Sequence, residues 1–122
     1  MDINMNLKEY YERIEGDYSG VVSRLMNEKL VMKFVIKFLD DTSFDLLCKS
    51  LEEGNNEEAF RAAHTLKGIA QNLSFDKFYK SVYEITEELR NGGSANEATF
   101  ERVKADYLYL FETTEQLRAD NE

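Results

Sequence analysis

A single histidine, His64, stands in the segment AAHTLKGIAQNL spanning 62–73, and it is the first place to look for reactive-group chemistry. Histidine offers a nucleophilic nitrogen that is largely uncharged near neutral pH. Lys67 and Gly68 follow three and four residues on, which on a helix sets both beside the imidazole. A lysine there can neutralise the oxygens of a phosphoryl group carried on the ring. A glycine inside a helix costs about 1 kcal/mol relative to alanine, and no turn or cap needs one at 68. Its use would be to clear room beside the imidazole for something large. A charge-neutralised, sterically open histidine is a candidate phosphoryl site.

Helical geometry decides whether that site faces solvent. At about 100° per residue, Ala59, Ala62, Ala63, Leu66, Ile69, Ala70 and Leu73 fall in one arc, which must face the core. His64 lies about 150° from the centre of that arc. Gly68 and Gln71 continue along the same outer side, Lys67 flanks it, and Phe60 sits at its boundary, either as a docking anchor or as the edge of the core.

The elements around this segment read as helices throughout. Proline is absent, so nothing interrupts long helices. Leu7, Tyr10, Tyr11 and Ile14 recur at helical spacing up to Gly16, and Tyr18 to Met26 is a weaker helix diluted by Gly20. Glu28 to Asp40 carries a broad apolar stripe of Leu30, Val31, Phe34, Val35, Phe38 and Leu39. Thr42 with Asp45 resembles an acidic capping box for a helix ending at Gly54, and Asn55 with Glu58 caps the helix of His64. Ser74 is the expected opening of the next helix, whose Phe75, Phe78, Val82, Ile85 and Leu89 run up to the stop signal Asn91-Gly92-Gly93. Ser94 with Glu97 forms a further capping box, before Phe100, Val103, Tyr107, Leu110, Thr114 and Leu117. The 3-4 spacing and short loops predict an all-α fold, an antiparallel four-helix bundle over 42–120. Two or three additional short N-terminal helices within 1–40 are expected to pack on it, making 1–122 a single domain.

Composition narrows the function classes. Fifteen basic against twenty-four acidic residues give a net charge of −9, which argues against nucleic acid and against an anionic membrane as partners. Cys48 is the only cysteine, so no intramolecular disulfide forms and a reducing, cytoplasmic setting is expected. The opening MDINMNLKEYYERIEGD lacks the apolar region of a signal peptide, and Leu30–Leu39, interrupted by Lys33 and Lys37, is too short to span a bilayer. There is no phosphate-binding glycine loop for ATP. One histidine cannot supply paired haem ligands, and Arg61, three residues before His64, breaks the E-x-x-H pattern of di-iron bundles. No cofactor or metal is expected on the chain itself.

His64-Thr65-Leu66-Lys67-Gly68, with Asn72-Leu73 after it, resembles the H-x-L-K-G signature of histidine-containing phosphotransfer (HPt) domains, over about 80 residues from Thr42 to the C-terminus. The resemblance implies a phosphorelay intermediate of two-component signalling, passing a phosphoryl group between aspartates of response-regulator receiver domains, including that of a hybrid histidine kinase. His64 would be the phosphoacceptor, forming a phosphoramidate. Lys67 would steady the phosphoryl oxygens, Gly68 would admit the receiver's rim, and Gln71 would help orient the site. Phe60, Arg61 and Thr65 would contact the partner. Mg²⁺ is expected on the receiver, and the protein is expected to be a free-standing monomer. The sequence departs from the family at two places. Ser74 stands where many relatives have glycine, and is expected to serve as a helix cap. Thr86 stands where many have the Gln or Glu that holds the imidazole; it is shorter, leaving orientation to Glu87 or water. The alternative from another class is a helical adaptor that binds a receiver or other signalling protein without phosphotransfer.

Overall fold

The computed structural model describes residues 4–122; the first three residues of the 1–122 reading lie outside them. The described residues form seven α-helices and no strand. In order these are α1 (Leu7–Arg13), α2 (Tyr18–Leu25), α3 (Glu28–Lys37), α4 (Ser43–Glu52), α5 (Asn56–Asn72), α6 (Asp76–Leu89) and α7 (Glu97–Asp120). Short 3-10 turns, Phe38–Asp40 and Arg90–Gly92, follow α3 and α6. The all-α expectation holds, with three helices ahead of the four-helix segment.

Consecutive helices α4 to α7 pack as neighbours, and Phe44 of α4 stacks on Tyr107 of α7 at 4.0 Å between centroids, closing the bundle. The apolar stripes read from the sequence face inward: Leu47, Leu66, Val82, Ile85, Val103 and Leu117 are fully buried. Polar positions in the core answer to the backbone. Thr86 donates to the Val82 carbonyl at 2.7 Å and Thr114 to that of Leu110 at 2.6 Å, while Tyr10 meets the Thr114 hydroxyl at 2.6 Å. Among the described residues no buried side-chain polar atom lacks a partner.

Helix starts are set by Asx side chains more than by the hydroxyls expected. Asn6, Asp17, Asn27, Asn55 and Asn96 each accept a first-turn amide with the side chain. Thr42 stands at the start of α4 without a capping bond; Asp41 accepts the Ser43 amide at 2.9 Å instead. Ser94 likewise yields to Asn96, which accepts from the Ala98 amide at 2.8 Å.

Ser74 does not cap α6. It is buried with φ +56°, the left-handed conformation that favours glycine, and α6 begins two residues later without a side-chain cap. The N-terminal helices grip this turn. Tyr11 donates to the Leu73 carbonyl at 2.7 Å, Arg24 reaches the Asn72 carbonyl at 2.7 Å and the Ser74 hydroxyl at 3.0 Å, and the Asp17 amide donates to the Ser74 carbonyl at 2.9 Å. Gly16 is required by this contact, because a Cβ there would meet the Ser74 carbonyl oxygen at 2.6 Å.

The broad stripe of α3 is only partly interior. Val31, Val35 and Phe38 are buried, but Leu30 and Phe34 are 41% and 38% exposed, because one face of the helix meets the bundle and the stripe is wider than that face. Phe34 instead edges a groove of about 320 Å³ with Phe38, Ile69 and Leu73, which leaves Ile69 only half-buried. The two ends of the described chain meet: the Met5 amide donates to the Asp120 carboxylate at 2.8 Å, and the Asn121 side chain donates to the Met5 carbonyl at 2.9 Å.

Candidate functional site

Asn55 starts α5 by accepting the Glu58 amide at 3.2 Å, and the small buried residues Ala59, Ala62, Ala63 and Ala70 let the helix lie close between α4 and α6. That inward face fixes the outward one. His64 is exposed, with Gly68 and Gln71 exposed further along and Lys67 half-buried beside it. A Cβ added at Gly68 would meet nothing within 4 Å, so the fold itself has no need of glycine there.

The imidazole lies against Phe60, one turn earlier, with ring centroids 5.9 Å apart and planes 21° from parallel. The Arg90 guanidinium in turn lies 5.3 Å from the Phe60 ring centroid. Arg90 is anchored by Glu87, whose Oε2 accepts from Nε at 3.0 Å and from Nη2 at 2.8 Å. Those hydrogen bonds hold the Glu87 carboxyl below its ordinary range and raise the guanidinium. Lys67 extends over Tyr83 of α6, its Nζ 5.5 Å from the ring centroid. Two cations, Lys67 over Tyr83 and Arg90 over Phe60, therefore each lie on an aromatic ring where α5 meets α6 and the turn after it, in a chain of net charge −9.

Of the other expected site residues, Arg61 is exposed and paired with Glu57 and Glu58 on its own helix. Thr65 is exposed and donates back to the Arg61 carbonyl at 3.0 Å. Thr86 is fully buried with its hydroxyl committed to Val82, so it does not reach the imidazole. Glu87 turns to Arg90. Tyr83 and Arg90 were not singled out in the sequence. Tyr83 and Glu87, four residues apart, share a face of α6 and Arg90 opens the turn after it, but only packing against α5 shows that Tyr83 meets Lys67 and Arg90 meets Phe60.

Among the described residues no group of three or more His, Cys, Asp or Glu is arranged to hold a metal, and no helix is long and apolar enough to cross a membrane. The family described as Hpt domain matches residues 37–120, more than half of the chain. The chain belongs to the Hpt domain family. Hpt domains serve histidine phosphotransfer in two-component signalling, interact with receiver domains in phosphorelays, and are carriers, not ATP-using enzymes. The matched span of this Hpt domain takes in α4 to α7 whole, and with them His64, Lys67, Tyr83 and Arg90; α1 and α2 precede it. Neither the curated proteins nor the solved structures gave a match to the chain.

Proposed function

We propose that the protein is a phosphorelay intermediate that carries a phosphoryl group on His64 between aspartates of response-regulator receiver domains. The observation that carries this reading is that the only histidine of an Hpt domain is exposed on α5, beside a lysine and an uncrowded glycine. In the reaction, the lone pair of the unprotonated ring nitrogen attacks the aspartyl phosphate. An N–P bond forms as the acyl O–P bond breaks, and the aspartate carboxylate leaves; the proton on the other ring nitrogen stays. Passing the group on reverses these steps. Such transfer rests on positioning and charge neutralisation more than on covalent chemistry by the protein.

Lys67 leaves the Tyr83 face to meet the phosphoryl oxygens, and Gly68 gives the receiver's rim access. Gln71 orients the group from two turns further on, and Phe60, Arg61 and Thr65 border the docked receiver. Receivers of response regulators and of hybrid histidine kinases are the partners, and Mg²⁺ belongs to their acidic pockets, where it neutralises phosphoryl charge. The protein works as a cytoplasmic monomer.

Incubation with a phosphorylated receiver should transfer label to the protein in an acid-labile, base-stable form. Equal labelling of wild type and His64→Gln would refute the reading, and retained receiver binding without any label on the wild type would favour a non-transferring adaptor.

A further inference from the structure

We propose that Phe60 and Arg90 are positioning residues that set the plane of the His64 ring by stacking, in place of a hydrogen bond from α6; this rests on the phosphoacceptor reading of His64. The need for such a device follows from the side chain. The outer torsion of histidine is broad, and in-line attack requires one nitrogen lone pair to point at phosphorus. His64 is exposed, and the Gly68 side of it is open space, so nothing there limits rotation. Neither ring nitrogen is hydrogen-bonded to any described residue. Thr86 is sealed in the core, and Glu87 is spent on Arg90.

What remains against the imidazole is a flat surface. Phe60 lies near parallel to it in an offset stack, within the range where ring pairs attract. Phe60 is itself half-buried, and the Arg90 cation lies against its ring, held there through two hydrogen bonds to one carboxylate oxygen of Glu87. The ordering therefore passes from Glu87 to Arg90, from Arg90 to Phe60 and from Phe60 to His64, crossing from α6 to α5. Phe60 thus acts on the ring within its own chain, apart from any contact with a receiver.

A stack differs chemically from a hydrogen bond. It restrains the plane of the ring yet occupies neither nitrogen, so it leaves the two tautomers unbiased and both nitrogens free for the phosphoryl group. A carboxylate or amide partner would pin the proton on one nitrogen.

NMR of the unphosphorylated full chain, with initial rates of transfer from a phosphorylated receiver, tests this. Phe60→Leu keeps apolar bulk at the core edge but removes the ring face. The His64 ring protons of wild type should show an upfield ring-current displacement and a tautomer ratio near that of free imidazole in water. Phe60→Leu should abolish the displacement, leave the ratio unchanged, and slow transfer about tenfold or more. Phe60→Tyr should recover most of both losses, and Arg90→Ala should lie between Phe60→Leu and wild type. An unchanged ring displacement in Phe60→Leu, an unchanged transfer rate in that variant, or a single fixed tautomer in wild type would each overturn the proposal. If wild type accepts no phosphoryl group at all, the phosphorelay reading fails by itself, because the ring displacement is measured without transfer.

Discussion

The phenol of Tyr11 donates a 2.7 Å hydrogen bond to the carbonyl of Leu73, tying α1 to the turn that joins α5 to α6. Tyr11 precedes the span that matches the family, and the turn lies at its centre. The N-terminal helices therefore do more than cover apolar surface: with Arg24 and Asp17 they supply the polar partners of a buried turn.

Tyr11→Phe should therefore cost about 1–3 kcal/mol, the penalty for leaving a buried acceptor without its donor. Urea denaturation of the variant measures it. Stability equal to wild type would mean that the Leu73 carbonyl finds another donor.

Ser74, in the left-handed region, should rank its substitutions by backbone freedom. Ser74→Ala keeps the strain and loses the bond from Arg24, whereas Ser74→Gly loses the same bond but relieves about 1 kcal/mol of left-handed strain. The glycine variant should melt above the alanine variant, and the reverse order in calorimetry would contradict the backbone argument.

Gly68→Ala should separate stability from transfer. Nothing lies within 4 Å of the added methyl group, so the helix gains about 0.5–1 kcal/mol. Transfer from a phosphorylated receiver should slow, and slow further in Gly68→Gln. A Gly68→Gln protein that transfers at the wild-type rate would remove the access role of the glycine.

Alkaline pH should unfold the domain through its interior phenols. Burial pushes the Tyr10 and Tyr11 hydroxyls well above the ordinary tyrosine range and that of Tyr107 up to about 12. The folded values are raised, so the stability contributed by these neutral phenols is intact below about pH 10, where the unfolded chain begins to ionise. It is lost as pH rises from there through the folded values. Tyrosinate absorbance and helical circular dichroism, followed together, should show the last phenols ionising as helix is lost; complete ionisation with intact helicity would contradict this.

Local periodicity made much of this molecule legible. The buried face of α5 from Ala59 to Leu73, the outward His64 and the bundle helices all follow from 3-4 spacing within single segments. Caps were harder, because several Asx and hydroxyl residues compete within each loop: Asp41 and Asn96 took the place of Thr42 and Ser94 according to the path of the loop. Ser74 reads as a cap because serine is a common one, whereas its backbone angle is imposed by a tight turn clamped from a distant part of the chain. Arg90 and Tyr83 depend on how α6 is rotated against α5, a tertiary quantity that no single-segment pattern encodes.

The meeting of Met5 with Asp120 and Asn121 also sets how the fold bears mechanical load. Tension applied through the two ends runs across the short seam between α1 and α7, where Tyr10 and Thr114 add a further tie. Beyond that seam, Tyr11 ties α1 to the α5–α6 turn at Leu73, at the far end of α5 from Phe60. A tug from anything attached at either end would peel the seam before it disturbed the geometry around His64.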